Sequence, residues 1–368
     1  MRTADVIVVG GGIAGIGAAA RIAADRDVVV LEREATVGSH ATGRSAAMLL
    51  DTYGNDVIRA LTAAGRPFFE APDDPEAWPE PLLRRRGELF LGRPGEEDAV
   101  RAHADSGAEL LTPAEAAELV PILRVEAVAA AAYDRRAADI DVDLLMQGFV
   151  RCLRRAGGEI RTGARLDAIG RDGDVWRVET DAGPVVAPVL INAAGAWGDV
   201  VAEAAGVAPL GLAALRRSAA ILPAPEGRDL ADWPLFGGIA EDWYAKPTGG
   251  RLMVSPADED PVAPHDAWAE DMVLAEGLDR YERMVTVPVT RVEASWAGLR
   301  SFAVDRTPVA GFDPRTPGFF WLVGQGGYGI QTAPGLSQLA ADLTAGRTPD
   351  LDAGTVAALS PERLGGAA

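Results

Sequence analysis

Two glycine-rich segments, one near each end of the chain, have the residue types and the spacing that bind phosphate groups. The first, VIVVGGGIAG, contains Gly10, Gly12 and Gly15, and the second, WLVGQGGYGIQT, repeats the G-x-G-x-x-G spacing over residues 324–329. Such a turn at the start of a helix presents backbone N–H groups to a phosphate, and the helix dipole stabilises the negative charge. The two copies raise the question of whether the chain binds one dinucleotide or two.

The amino-terminal copy has the full context of a dinucleotide site. Val6–Val9 is typical of a buried strand, residues 13–24 of an alanine-rich helix, and Val28–Leu31 of a second buried strand that is followed by Glu32. This pattern predicts a βαβ unit with an acidic residue after its second strand. A tight turn without any ligand is the alternative interpretation.

Each of these residues has a physical task in such a unit. Gly10 makes the turn, Gly12 lets the backbone approach a pyrophosphate, and Gly15 lets the helix pack on the strand. Glu32 accepts hydrogen bonds from ribose hydroxyls. The amino-terminal segment therefore predicts a bound dinucleotide.

The carboxyl-terminal copy lacks this context, because one helix and a proline-containing tail follow it, without a second strand or a strand-end acid. A helix start without a ribose acceptor still stabilises a fixed negative charge, and a reduced flavin carries one on its pyrimidine edge. We interpret Gly326, Gly327 and Tyr328 as backbone donors to a flavin ring. A purely structural glycine turn is the alternative.

The chain is therefore expected to bind one dinucleotide, and the sequence favours FAD over NAD. The stretch after Glu32, REATVGSHATGRSAAMLLDTYG, is rich in glycine, serine and threonine and runs towards a helix. It supplies amides and hydroxyls for a phosphate and an isoalloxazine, which a nicotinamide site does not need.

Composition excludes several other classes of function. The 368 residues include 54 acidic and 35 basic ones, and the formal charge of −19 opposes binding to nucleic acid or anionic lipid. The single cysteine, Cys152, excludes internal disulfides, and three scattered histidines make a metal centre improbable. The apolar start is interrupted by Asp5 and by glycines, so we expect neither a signal peptide nor a membrane helix, and we expect a cytoplasmic location.

The order of the expected strands and helices predicts an α/β protein of two domains, one of them discontinuous in sequence. We expect a Rossmann-like FAD-binding domain from residues 1–50, 138–206 and 300–368, and a substrate domain with a mainly antiparallel sheet from residues 51–137 and 207–299. Asp141 is expected to cap a helix that ends at Gly157 and Gly158. The strands expected in the second domain are Glu88 to Leu91, SAAIL, WYAKP, RLMVS and VTVPVTR, and those expected in the first include VLIN and FFWLV, the latter followed by a helix over residues 330–345.

Over essentially its whole length the sequence resembles the FAD-dependent D-amino acid oxidase superfamily, and within it the D-arginine dehydrogenase group. The resemblance includes VIVVGGGIAG, VVLERE with HATGRSAA, TYG, IRALT, ADID, INAAGAWGD, RRSAA, WYAKP, SWAGLRSF and QGGYGIQT. It implies a bilobal flavoprotein of the glutathione-reductase type with non-covalent FAD. The cofactor contacts expected from motif and resemblance are Gly10, Gly12, Ile13, Ala14, Gly15, Glu32, Arg33, Thr42, Gly43, Arg44, Ser45, Ala46, Ala194, Gly195, Trp197, Arg300, Gly326, Gly327, Tyr328, Gly329, Ile330 and Gln331.

The resemblance also implies a substrate site. Oxidation of an α-amino acid requires its carboxylate to be fixed, and the planar fork of arginine does this best. Arg217 in RRSAA and Arg300 in AGLRS match the carboxylate-binding arginines, and Tyr53 and Tyr244 match pocket tyrosines. Gln331 is expected near the flavin edge. Taken alone, the arginines are more typical of a surface, and core packing is an equal alternative for the two tyrosines.

Three further positions bear on the substrate's side chain. Glu88 in GELF matches the acid that meets a cationic side chain in the D-arginine enzymes, although a solvated loop glutamate is the alternative. Met48 and Leu50 stand where those enzymes have histidine and threonine, so two polar positions have become apolar. Because a methionine pocket is adaptable, the departure favours bulkier or more apolar side chains and puts D-arginine itself in doubt.

The resulting hypothesis is oxidation of a D-amino acid with a basic or bulky apolar side chain to an imino acid, and from there to a 2-keto acid and ammonia. The rivals are a glycine- or sarcosine-type amine oxidase, a 2-hydroxy acid dehydrogenase, an NAD(P)H-fed monooxygenase, and a non-catalytic flavin-binding subunit. The partner expected is a small amino acid. The sequence predicts neither the electron acceptor nor the oligomeric state.

Overall fold

The structure, a computed structural model, describes residues 1–365. Its strands, in chain order, are β1 (Arg2–Thr3), β2 (Val6–Val9), β3 (Val28–Leu31), β4 (Met48–Leu49), β5 (Leu83–Arg85), β6 (Glu88–Gly92), β7 (Glu109–Leu111), β8 (Ala130–Asp134), β9 (Ala138–Ile140), β10 (Glu159–Arg161), β11 (Leu166–Asp172), β12 (Val175–Thr180), β13 (Val185–Ala187), β14 (Val189–Asn192), β15 (Ala213–Leu222), β16 (Leu235–Gly238), β17 (Tyr244–Thr248), β18 (Arg251–Ser255), β19 (Asp260–Pro261), β20 (Ala294–Phe302), β21 (Val309–Phe312) and β22 (Phe319–Val323).

The α-helices, in the same order, are α1 (Ile13–Ile22), α2 (Asp56–Glu70), α3 (Glu97–Ala104), α4 (Pro113–Leu119), α5 (Val142–Arg155), α6 (Gly198–Ala204), α7 (Asp271–Met284), α8 (Gly329–Thr344) and α9 (Ala353–Leu359). The predicted capping of α5 is present, because the Asp141 side chain accepts a hydrogen bond from the backbone of Leu144. Within residues 1–365 no helix is long and apolar enough to span a bilayer.

A six-stranded sheet with the order β10-β3-β2-β14-β22-β21 forms one half of the fold, and all its pairings are parallel except that of edge strand β21. Because side chains alternate along a strand, Val6 and Val8 pack under the layer of α1, α5 and α8. Ile7 and Val9 point the other way, onto the four-stranded sheet β1-β13-β12-β11. Both faces are covered, which explains the uninterrupted apolar strands.

A second, nine-stranded sheet forms the other half, in the order β19-β15-β18-β17-β16-β6-β8-β7 with β20 paired to β15. Its pairings are antiparallel except between β16 and β6. One face packs on helices α4 and α7 around Phe236, Trp243 and Tyr281. Its other face, reached by alternate residues of the same strands, meets the parallel-sheet half. The mixed α/β class and the mainly antiparallel second sheet are confirmed.

The six strands of the parallel sheet lie within the three segments predicted for the first domain, 1–50, 138–206 and 300–368. We propose to keep that division with one change. Strand β20 (Ala294–Phe302) pairs with β15 along its whole length, so residues 300–302 belong with the antiparallel sheet.

One strand expected in the second half is absent, and several elements of that half were not predicted. The segment VTVPVTR forms no strand, and Val285 makes only an isolated bridge to Leu123. Pro288 interrupts it with a residue that lacks a backbone N–H, and the apolar residues at its start pack below α7. Helix α7 itself was not predicted. Strands β5, β7 and β8 were also missed, since the alanine-rich AAAYD of β8 has low strand propensity.

Candidate active site

The start of α1 fits the phosphate-binding role predicted for it. A side chain on Gly10 would place its Cβ 2.4 Å from the carbonyl oxygen of Ala193, and one on Gly15 would lie 1.9 Å from the carbonyl oxygen of Gly10. These two glycines are therefore required by backbone contact. Gly12 differs, because a Cβ there would meet only Thr42 Oγ1, at 3.4 Å, and its open side faces the cavity described below. No side chain caps the helix, and its first turn contains no acidic residue.

Glu32 follows β3 and faces the same turn. Its Oε2 accepts a hydrogen bond of 2.7 Å from the Gly11 amide, and its Oε1 accepts one of 2.8 Å from the Glu34 amide. The carboxylate is thereby held beside the glycine turn, where a ribose hydroxyl has access to its remaining lone pairs.

An aromatic and charged cluster lies next to Glu32. The His40 ring is 4.8 Å from that of Trp197, and the Arg33 guanidinium lies 5.0 Å from the centre of the Trp197 ring. His40 Nε2 is 3.0 Å from Glu34 Oε1, and this hydrogen bond, together with Arg33, lowers the pKa of Glu34. All four side chains line the cavity.

The glycine- and serine-rich segment after Glu32 forms a wall of the cavity that is fixed to both halves of the fold. Thr42 Oγ1 accepts a hydrogen bond of 3.0 Å from the Ile13 amide at the start of α1. Arg44 donates to the carbonyls of Ala267 and Ala297, at 3.0 and 2.9 Å. Lys246, a buried residue of β17, donates to the carbonyl of Ala46. The wall is therefore held from the antiparallel sheet as well as from α1.

The carboxyl-terminal glycine turn approaches the cavity from the opposite side. Of its three predicted amide donors, Gly326 donates to the Ser301 carbonyl and Tyr328 to the Gln325 carbonyl, so Gly327 is left as the donor facing a ligand. The prediction of three free amides is thus corrected to one at this turn. Gln325, 9% exposed, also lines the cavity, and its Nε2 has no partner among residues 1–365.

These walls enclose a cavity of about 430 Å³ between the two glycine turns. It fits the FAD that the sequence predicts, on three observations: an uncapped helix start, a carboxylate at ribose position and a buried amide donor without a partner. The predicted cofactor contacts that line it are Gly10, Gly12, Ile13, Ala14, Glu32, Arg33, Thr42, Arg44, Ser45, Ala46, Ala194, Gly195, Trp197, Arg300, Gly326, Gly327, Gly329 and Ile330.

Three cationic or phenolic side chains project from the antiparallel sheet into this cavity. Arg217 and Arg300 come from the neighbouring strands β15 and β20, where Leu215 pairs with Arg300 and Arg217 with Gly298. Paired and alternate residues share a face, so both guanidinium groups lie on one side of the sheet. Tyr244, from β17, is on that same face. The arrangement suits a carboxylate bound between two arginines and a phenol.

The charges around Tyr244 change its acidity. Burial alone raises the pKa of the phenol, but the positive charges of Arg300 and Arg217 outweigh it and hold the pKa below its ordinary value. Arg300 lies against the second glycine turn, because a Cβ on Gly327 would be 2.8 Å from Arg300 Nη1. We call Arg217, Arg300 and Tyr244 the clamp. Through Arg300, the clamp is in direct contact with the predicted flavin-binding turn.

Tyr53 stands behind the clamp. Its ring is 4.8 Å from that of Tyr328, and its phenol is among the groups that hold the pKa of Arg300 above its ordinary value despite burial. With Tyr244, it borders an apolar cluster of Met48, Leu50, Ala137 and Leu235. Met48 and Leu50 thus present an apolar surface beside Tyr244, although neither lines the cavity itself.

Glu88, on β6, is buried on the same sheet face as Tyr244. Glu88 pairs with Leu235 of β16, and Gly237 of β16 pairs with Tyr244, so the two residues are two strands apart and offset by two positions along the strands, or about 12 Å apart. Burial raises the pKa of Glu88 to about 8, and the nearby charges of Asp134 and Glu241 add to the effect.

The structure does not bring every predicted site residue to the cavity. Gln331 is 3% exposed, donates to Thr62 Oγ1 at 2.9 Å and pairs with the backbone of Leu50, so it supports the segment around Leu50 from α8. Its predicted place at the cavity is therefore wrong. The other predicted residues outside the cavity lining are Gly15, Gly43, Met48, Tyr53, Glu88 and Tyr328.

Sequence reasoning missed several residues that the structure places at the cavity. His40 lies within the quoted motif HATGRSAA, and Gln325 lies between two of the quoted glycines, so both had a signal. His265 lies in an irregular loop without a motif. Lys246 was quoted in WYAKP without a role, which its hydrogen bond to Ala46 now supplies.

Comparison with known proteins agrees with this geometry. The family of FAD-dependent oxidoreductases (DAO) matches residues 5–343. A relative is the glycine oxidase of Geobacillus kaustophilus, 25% identical over 92% of each chain. Another is FAD-dependent oxidoreductase domain-containing protein 1 of Xenopus laevis, 25% identical over 92% of this chain and 79% of that protein. Mouse mitochondrial sarcosine dehydrogenase is 23% identical, and this chain spans 39% of its length.

Solved structures show the same fold. A crystal structure of glycine oxidase from Geobacillus kaustophilus superposes with a TM-score of 0.84 at 24% identity and covers 98% of both chains. That of L-proline dehydrogenase from P. horikoshii gives a TM-score of 0.83 at 20% identity, covering 99% and 98% of the two chains.

Proposed function

Because this chain belongs to the family of FAD-dependent oxidoreductases, we propose that it oxidises a D-amino acid with a basic or a bulky apolar side chain. The observation that carries this proposal is the shared sheet face of Arg217, Arg300 and Tyr244, with the buried Glu88 further along it. A carboxylate clamp at one end and an acid at the other match the two ends of a basic amino acid. The D configuration rests on the sequence resemblance to D-arginine dehydrogenases.

FAD, when bound, supplies the two-electron acceptor that takes the α-hydrogen as hydride. Arg217 and Arg300 hold the substrate carboxylate, and the Tyr244 phenol donates to it. The substrate loses the hydride from Cα and a proton from its amine, which leaves an imino acid. Water then hydrolyses the C=N bond, giving a 2-keto acid and ammonia.

Glu88 and its apolar neighbours set the preference among side chains. An ionised Glu88 pairs with a substrate cation, whereas the apolar surface of Met48 and Leu50 accepts an apolar chain. Oxidation of a glycine- or sarcosine-type amine is a second candidate, favoured by relatives that carry those names and cover most of this chain. These small substrates need the clamp but not Glu88.

The test is anaerobic mixing of the purified holoprotein with single substrates while the visible absorbance of the flavin is followed. The panel contains the D and L forms of arginine, lysine, leucine and phenylalanine, together with glycine, sarcosine, 2-hydroxy acids and NADPH. We expect D-amino acids to bleach the flavin fastest. Faster bleaching by an L-amino acid, glycine, sarcosine, a 2-hydroxy acid or NADPH would replace the proposal, and absence of bleaching by any of them would favour a non-catalytic flavin-binding subunit.

A further inference from the structure

Arg217, the first arginine of the clamp, is already bound to a carboxylate of the protein. Its Nη2 lies 3.0 Å from Glu259 Oε1, and its Nε donates to the carbonyl of Asp258 at 2.8 Å. The Glu259 side chain is 34% exposed and lies in the loop between β18 and β19. A group with the chemistry of a substrate carboxylate therefore occupies one edge of the guanidinium fork.

Glu259 has a second cationic partner further out. Arg306 Nη2 donates to both carboxylate oxygens of Glu259, at 3.0 Å each. The Arg306 guanidinium also lies 3.9 Å from the centre of the Phe302 ring, and Phe302 is an edge-on neighbour of Tyr328. Glu259 is thus shared between Arg217, which belongs to the clamp, and Arg306, which lies over the Phe302 ring.

The backbone that carries Arg306 is fixed independently of this ion pair. Asp305 is bound by Arg363 at 2.7 Å, and Thr307 accepts a hydrogen bond of 2.9 Å from Asn55 through its hydroxyl. The main chain on either side of Arg306 is therefore anchored without Glu259, and a change in the sharing requires movement of side chains only.

We propose that Glu259 is an internal competitor for the substrate: it occupies Arg217 in the free protein and withdraws to Arg306 alone when a substrate carboxylate binds. The inference rests on the proposed function, since it assigns the carboxylate end of the substrate to Arg217. Arg306 acts as the site that receives the displaced Glu259. The ion pair between Glu259 and Arg217 raises the substrate concentration that is needed to occupy the clamp. It also keeps the Arg217 charge paired when no substrate is bound.

Other roles for Glu259 and Arg306 predict changes of different sign in the affinity for a carboxylate. If Glu259 only orients Arg217, its removal weakens carboxylate binding. If Arg306 binds the substrate directly, its removal weakens binding whether or not Glu259 is present. In the displacement scheme, removal of Glu259 strengthens binding, removal of Arg306 weakens it, and the second effect vanishes when Glu259 is absent.

The experiment measures binding of pyruvate, a carboxylate that is not an amine substrate, to the holoprotein by isothermal titration calorimetry. The variants are Glu259→Gln, Arg306→Met, the double variant, and Asp260→Asn as a matched control, because Asp260 pairs with Arg216. We expect the dissociation constant to fall about fivefold in Glu259→Gln and to rise about threefold in Arg306→Met, as for partly exposed ion pairs. The double variant should equal Glu259→Gln, and the control should equal wild type.

An unchanged or weaker affinity in Glu259→Gln would overturn the inference, as would a loss of affinity on adding Arg306→Met to Glu259→Gln. Failure of both wild type and Glu259→Gln to bind pyruvate would overturn it together with the clamp. If D-amino acids fail to bleach the flavin while Glu259→Gln still binds pyruvate more tightly, the proposed substrate is wrong and the displacement scheme is supported.

Discussion

Lys246 Nζ lies 2.7 Å from Asp139 Oδ1, and the other oxygen of the same carboxylate lies 2.6 Å from Arg86 Nη2. Lys246 also donates to the carbonyl of Ala46, which lines the cofactor cavity. Asp139 belongs to β9, whose neighbour β4 directly follows the cavity wall, whereas Lys246 and Arg86 come from the antiparallel-sheet half. This buried cluster ties the cavity wall to the sheet that carries the clamp.

Lys246→Met should loosen that connection. The change leaves Asp139 with Arg86 alone and removes the donor to Ala46, so we expect a loss of about 2 kcal/mol in the free energy of unfolding, less than for a fully orphaned buried charge. The FAD dissociation constant should rise by up to about tenfold, the effect of one lost hydrogen bond on the cavity wall. Denaturant unfolding and FAD release measure the two effects. Arg251→Met, an exposed change on neighbouring β18, is the control, and equal behaviour of the two variants would exclude the connection.

Gly12→Ala and Gly15→Ala should fail in different ways. The added Cβ in Gly12→Ala meets only Thr42 Oγ1 at 3.4 Å, so the chain should fold, but the methyl group stands where a phosphate approaches. In Gly15→Ala it would lie 1.9 Å from the Gly10 carbonyl oxygen, so the βαβ unit itself is disrupted. We expect circular dichroism to show a folded, colourless Gly12→Ala and an unstable Gly15→Ala. A yellow Gly12→Ala with unchanged FAD affinity would contradict the phosphate position.

Arg300→Met should raise the KM for every carboxylate substrate. Charge-assisted hydrogen bonds of an arginine contribute about 1.5–3 kcal/mol, which corresponds to a rise of roughly 10- to 100-fold. Steady-state kinetics with D-amino acids of different side chains measures it, and Arg291→Met, an exposed arginine paired with Glu293, is the matched control. If KM stays constant, Arg300 is not part of the clamp.

The pKa of Glu88, about 8, predicts a pH dependence that is confined to basic substrates. Below pH 8 the carboxyl is neutral in the free protein, and above it the carboxylate attracts a cation. The kcat/KM for D-arginine or D-lysine should therefore rise through pH 8, whereas that for D-leucine should not show this step. Glu88→Gln should remove the step, and Glu241→Gln should move it to lower pH, because the charge of Glu241 raises the pKa of Glu88. A step that persists in Glu88→Gln belongs to another group.

The same pKa fixes the sign of a stability effect. Because the folded state holds its proton more tightly than the unfolded chain, whose glutamate has a pKa of 4.5, stability falls as pH rises from 4.5 towards 8. Glu88→Gln avoids this loss. Its Tm should therefore exceed that of wild type at pH 8 by more than at pH 5, and a constant difference would mean that Glu88 is ionised in the folded protein.

Features fixed by local backbone requirements were predictable from the sequence. The strands β2 and β3 match their expected bounds, and α1 ends two residues early, because apolar strands buried on both faces and glycines forced by close contact leave a pattern within thirty residues. The cap at Asp141 is equally local. By contrast, the valines around Pro288 have the pattern of a strand, but the segment forms none. Its conformation depends on tertiary packing under α7, which a local pattern does not reveal.

The clamp itself could be assembled from the sequence only through family resemblance. Arg217, Tyr244 and Arg300 come from three strands, and only their register puts them on one face. The predicted position of the Gln331 side chain was wrong. A residue in the first turn of α8 faces either the cavity or the core, depending on how the helix is rotated about its axis. The contacts of Glu259 with Arg217 and of Lys246 with Asp139 join residues distant in the chain, where no short-range pattern exists.

The two arginines of the clamp stand on neighbouring strands that are hydrogen-bonded to each other over nine consecutive pairs, whereas Glu88 stands near the opposite margin of the sheet, between β16 and β8. Their spacing is set by main-chain geometry and is insensitive to what occurs at that far margin. In the proposed function, a change of preferred side chain from cationic to apolar, or the reverse, therefore requires substitutions in β6, in β8, in the loop of Glu241 or at Met48 and Leu50, and none in β15 or β20. The preferred substrate side chain can therefore change while the two arginines keep their positions.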